Sequence, residues 1–73
     1  MPRQLRGIKG TEAVKAFQAA GGIKKKGKGD HVNIKMLNGQ IITIPGPKEL
    51  KIGLLKAVIR KAGLTDEEFL ELL

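Results

Sequence analysis

Apolar residues recur along this chain with two different periods, and the change of period divides it into elements. Between Thr11 and Ala20, the residues Ala13, Val14, Phe17 and Ala20 return every three or four positions, the spacing of a helix with one buried stripe. Thr11 is expected as its N-cap, Glu12 suits the first turn, and Gly21-Gly22 closes it. From Asp30 to Met36 the period shortens to two. Val32, Ile34 and Met36 then share one face of a strand, with His31, Asn33 and Lys35 on the other. Ile41 to Pro45 reads as the returning strand, stopped by Pro45-Gly46-Pro47.

The same alternation selects a register. A two-residue turn at Asn38-Gly39 would oppose Lys35 to Ile42 and mix polar with apolar positions on one face. A three-residue loop, Leu37-Asn38-Gly39, with Gly39 in a left-handed bulge opposes Ile34 to Ile42 and Val32 to Ile44. The second register leaves one clean apolar face and is the one expected. It puts His31 on the open side of the sheet with Asn33, Lys35 and Thr43.

The remaining segments complete the outline. Ile23 to Lys26 is a short strand with Ile23 as its apolar anchor, followed by a turn at Gly27 to Gly29. Ile52 to Ala62 is a helix burying Leu55, Val58, Ile59 and Ala62, with Lys56, Arg60 and Lys61 along its outer side. Thr65 to Glu68 forms a capping box that starts a short terminal helix carrying Phe69, Leu70, Leu72 and Leu73. Met1 to Lys9 is basic and nonperiodic and is read as a flexible arm, which leaves residues 10–73 as one domain. The order is α-β-β-β-α-α, an α+β fold: a three-stranded antiparallel sheet with helices on one face and the other face free.

Charge changes the picture more than composition does. The net charge is +7, and all 14 Lys and Arg lie in residues 1–64 with only Glu12, Asp30 and Glu49 against them. Residues 65–73 carry Asp66, Glu67, Glu68 and Glu71 and no base. So basic a body attracts a polyanion, and nucleic acid is the commonest one. The chain has no Tyr or Trp, and Phe17 and Phe69 are needed in the core. Without exposed rings, a reader of single strands by base stacking is disfavoured, and recognition of RNA backbone and shape through lysines remains. With no cysteine, one histidine and scattered carboxylates, neither a disulfide, a metal centre nor a cofactor is expected. No apolar run approaches the roughly 18 residues that span a bilayer, so an intracellular domain without a membrane role is expected.

His31 is the candidate for chemistry. RNA is cleaved when a base deprotonates the 2′-hydroxyl, which attacks the adjacent phosphorus while an acid protonates the leaving 5′-oxygen. His31 is the only side chain here suited to proton transfer near neutral pH. A lone histidine is more often an ordinary surface residue; its position among lysines is what raises it. Lys24, Lys25, Lys26, Lys28 and Lys35 are candidates to hold the phosphate, and Gly27 and Gly29 let backbone amides approach it. Asp30 is a candidate to orient the imidazole. Lys56, Arg60 and Lys61 form a secondary basic surface.

Several stretches also resemble one known family. They are Gly10-x-Glu12 and Ala20-Gly21 around the first helix, Gly29-x-His31, Asn38-Gly39, and Thr43-Ile44-Pro45. Beyond them come Lys48-Glu49-Leu50-Lys51-x-Gly53-x-Leu55, Ile59-Arg60-x-Ala62-Gly63 and Glu67-Glu68-Phe69. Together, over about residues 10 to 73, they resemble the HicA (YcfA-like) toxins of HicA–HicB toxin–antitoxin pairs. The resemblance implies a double-stranded-RNA-binding-domain-like α-β-β-β-α fold and a cytoplasmic mRNA-cleaving toxin whose essential histidine corresponds to His31. It also implies a HicB-like antitoxin that covers the His31 face. The family usually has Ser or Thr where this chain has Asp30, and a carboxylate there would repel the scissile phosphate. Ile52 stands where proline is common. The rival reading is a noncatalytic RNA-binding module of the same fold that works through Lys56, Arg60 and Lys61.

Overall fold

The alternation between Val32 and Ile44 becomes the centre of a three-stranded antiparallel sheet. The structure, a computed structural model, describes residues 4–73. Its elements are α1 (Gly10–Ala19), β1 (Ile23–Lys26), β2 (Val32–Lys35), β3 (Ile41–Ile44), α2 (Ile52–Lys61) and α3 (Asp66–Glu71). The strands lie in the order β1-β2-β3. Ile34 opposes Ile42 and Val32 opposes Ile44, the register chosen by the apolar pattern. At the hairpin tip Gly39 has φ +85°, the Gly39 N–H donates to the Met36 carbonyl (3.0 Å) and the Met36 N–H to Gln40 (2.8 Å). This is the expected three-residue loop with a left-handed glycine.

All helices pack on one face. Ile34, Ile42 and Ile44 meet Phe17, Leu55, Ile59 and Phe69 there, and all of these are almost fully buried. The Phe17 and Phe69 rings lie 5.0 Å apart with an interplanar angle of 41°, which ties α3 to α1 across the core. Thr65 caps α3 as expected: its Oγ1 accepts from the Glu68 N–H (3.1 Å), and the Thr65 N–H donates to Glu68 Oε1 (3.0 Å).

Three expectations change. Leu5 and Ile8 are buried in the same core, so the arm expected over residues 1–9 is packed from Leu5 onward; residues 1–3 lie outside the described residues. Lys9 bridges Glu49, with the Leu50 N–H donating to Ile8 (2.8 Å) and the Gly10 N–H to Lys48 (2.9 Å), a short antiparallel contact that supports this packing. The N-cap of α1 is consequently Lys9 rather than Thr11, and the Lys9 N–H donates to Glu12 Oε1 (3.2 Å). Ile23, expected as the anchor of β1, is 62% exposed. It opposes Lys35, so it belongs to the open face, away from the helices.

Candidate active site

The open face of the sheet is built from the residues between the core positions, and pairing lines them up in rows. Residues opposed across antiparallel strands share a face. At one end stands His31, exposed, immediately before β2. The next row is Lys25, Asn33 and Thr43, in which the Thr43 hydroxyl donates to Asn33 Oδ1 (2.7 Å). The third row is Ile23, Lys35 and Ile41. Ile23 and Ile41 are exposed there, and so is Leu37, 81% accessible just beyond β2. The face is therefore polar and basic at the His31 end and apolar at the other.

His31 is held by its backbone. The chain turns over Lys28-Gly29-Asp30-His31, with the His31 N–H donating to the Lys28 carbonyl at 2.9 Å. Gly29 has φ +57° and Asp30 does not have positive φ, the pattern of a type II′ turn, which wants glycine at its first central position. Gly27 sits against the other side of His31. A Cβ on Gly27 would lie 2.6 Å from the His31 carbonyl oxygen, so only glycine lets β1 run this close. Gly27 thus serves to seat His31, a role distinct from the phosphate approach expected for it.

The lysine cluster is divided. Lys25 shares the open face with His31, and Lys35 does too, though four residues along β2 place it about 13 Å away at the rise of a strand. Lys24 opposes Ile34 and Lys26 opposes Val32, so both point to the helix side of the sheet. Lys28 and Gly29 lie in the turn that leads into His31, and both are exposed. The run Ile23-Lys24-Lys25-Lys26 has a single apolar residue, and it is the pairing of Ile23 with Lys35 on the open face that decides which lysines face which side.

Asp30 belongs to the helix side as well. It continues the row of Val32 and Ile34, and its Cβ lies 3.8 Å from the position a Cβ on Gly46 would take. It lines a cleft with Lys15 and Lys24, on the side of the sheet away from His31. The expected orienting contact with the imidazole is not made, and the carboxylate does not face a phosphate held on the open side. Asn33 and Thr43, expected on the open side with His31, share with Lys25 the first row of polar groups beyond it, and the hydrogen bond that joins them is not marked by any local motif. Lys56, Arg60 and Lys61 are all exposed on α2, within the helix layer and remote from the open face. Among the described residues no three His, Cys, Asp or Glu side chains gather as a metal-binding group. No helix among them is long and apolar enough to cross a membrane.

An α1-β1-β2-β3-α2 core with a short added helix and one open sheet face is a double-stranded-RNA-binding-domain-like architecture. Residues 10–64 match the family described as HicA toxin of bacterial toxin-antitoxin, and the chain belongs to that family. It is accordingly the toxin side of a toxin–antitoxin pair, in a family known for mRNA-cleaving toxins. No curated protein matches the chain.

Proposed function

We propose that this toxin is an endoribonuclease that cleaves mRNA in the cytoplasm without a metal, using His31 as its single catalytic histidine. What supports the reading is an exposed histidine at the basic end of an open sheet face, in a chain of this family. The RNA 2′-hydroxyl is the nucleophile. Its proton passes to the His31 imidazole, the 2′-oxygen bonds to phosphorus, and the bond to the 5′-oxygen breaks as that oxygen takes a proton from a lysine or a water. The products are a 2′,3′-cyclic phosphate and a 5′-hydroxyl end. Lys25 and Lys28 stabilise the charge that builds on the phosphorane oxygens, with the Gly29 backbone beside them. Lys35 holds RNA further along the face. DNA lacks the 2′-hydroxyl and is not a substrate.

A HicB-like antitoxin covers the same face. Ile23, Ile41 and Leu37 offer it apolar area next to the reactive end, so binding there closes the route of RNA to His31.

The test compares RNA incubated with wild type and with His31→Ala in EDTA, following cleavage, chain ends and binding. Cleavage by wild type alone, with cyclic-phosphate ends and binding kept by both proteins, is expected. Equal cleavage by the variant removes His31 from the mechanism. Salt-sensitive binding with no cleavage by either protein favours the RNA-binding module that uses Lys56, Arg60 and Lys61.

A further inference from the structure

The side of the sheet opposite His31 carries a second concavity. It is an open cleft of about 260 Å³ between α1, the β1–β2 edge and the Gly46-Pro47 turn. Val14 and Val32 form its apolar floor, and Lys15, Gln18, Lys24 and Asp30 line it. Pockets for whole drug-sized ligands run from roughly 300 to 1,000 Å³, so this one suits a single planar ring system and little more.

Its polar groups are of two kinds. Lys15 and Lys24 only donate hydrogen bonds, whereas the Asp30 carboxylate only accepts them. Asp30 is the sole acid between Glu12 and Glu49. Among the described residues it has no hydrogen-bond or ion-pair partner, although lysines line the same cleft. Such an acceptor is available to a ligand.

Asp30 and His31 are consecutive, on opposite sides of the chain just before β2. A polynucleotide crossing this point would present its reacting phosphate to one and a neighbouring base to the other. The geometry points to the cleft as a recognition site for a guanine base flanking the scissile phosphodiester, with Asp30, Lys24 and Lys15 setting the preference. Guanine is the base that satisfies both kinds of group. Its N1–H and N2–H form a paired donor edge that fits a carboxylate, and its O6 and N7 accept from lysine. Uracil has one ring N–H donor, while adenine and cytosine offer one exocyclic amine and no ring N–H beside it, so none matches a carboxylate with two donors. Val14 and Val32 supply the apolar surface for the base plane. The inference rests on the RNA-cleaving reading for its place beside the cut, and the binding itself can be measured separately.

Two measurements test it. A random-sequence RNA is partly digested and the ends sequenced, for wild type, Asp30→Asn and Lys24→Gln. Wild type is expected to favour guanine at one position beside the cut by about tenfold or more, as a good bidentate contact gives. Both variants lose that preference. The ratio is internal to each protein, so a change in overall rate does not affect it. A wild type without base preference, or variants that keep it, overturns the assignment. Separately, guanosine, adenosine, cytidine and uridine monophosphates are titrated while the methyl resonances of Val14 and Val32 are followed by NMR. Saturable shifts are expected with the guanosine nucleotide at about tenfold lower concentration than with the others. An equal response to all four, or none, overturns the cleft as a guanine site. Selective binding in a protein that cuts no RNA would instead overturn the catalytic reading and leave the cleft standing.

Discussion

The two hairpin loops of the sheet are built on different principles. The loop between β2 and β3 is tied down. Asn38 Nδ2 donates to the Lys61 carbonyl at the end of α2 (3.0 Å), and Asn38 Oδ1 accepts from the Gln40 N–H (2.9 Å). One side chain thus shapes its own turn and anchors it to a helix 23 residues away in sequence. The loop between β1 and β2 has no such side-chain tether among the described residues. Its last residue, His31, is placed by a backbone hydrogen bond to Lys28 and by the close approach of Gly27. Side chains from Lys28 to His31 are left exposed and uncommitted. The first design spends a polar side chain on stability; the second keeps its polar side chains available to a ligand.

Substitutions should separate the two loops along different readouts. His31→Ala is expected to lower RNA cleavage by about 10²- to 10⁴-fold, the usual contribution of a proton-transfer group. Because His31 is exposed, its thermal unfolding should move by less than about 0.5 kcal/mol. A large loss of stability on calorimetry would mean that the residue is structural and erase the contrast. Gly27→Ala should cost cleavage on the order of 10²-fold, since its methyl group pushes the His31 backbone out of place. If cleavage by that variant matched wild type, the backbone seat would be irrelevant.

The tethered loop should behave the other way. Asn38→Ala removes both hydrogen bonds and is expected to cost about 1–3 kcal/mol. Cleavage below the unfolding temperature stays as in wild type. Gly39→Ala, at φ +85°, should cost about 1 kcal/mol, the smallest effect of the series, and again leave cleavage alone. A cleavage defect at Asn38 or Gly39 would show that the two loops are coupled through β2.

The sequence made much of this legible where a local pattern had a single physical solution. Val32, Ile34, Ile42 and Ile44 left only one register that buries them together, and Thr65 with Glu68 marked the start of α3. The exposed position of His31 followed from the same alternation. Leu5 and Ile8 were hidden because two apolar residues three apart, outside any repeat, look alike in an arm and in a packed segment. The pairing of Ile8 to Gly10 with Lys48 to Leu50 and the burial of Leu5 and Ile8 distinguish the two. The Asn38 tether joins residues too distant in sequence for any local motif. The two sides of the lysine cluster were readable in principle, yet they depended on which way Ile23 faced, and one isoleucine is too little to decide that.

Strand β1 carries a consequence of its own. It is the edge of the sheet opposite β3, four residues long, and every one of them is exposed. An uncovered edge has a free row of backbone donors and acceptors, the template on which identical chains stack into aggregates. Here a second copy of β1 laid alongside would bring lysine against lysine on both faces of the joint sheet, and like charges directly opposed are destabilising. The lysines of β1 thus act against stacking of identical chains through this edge.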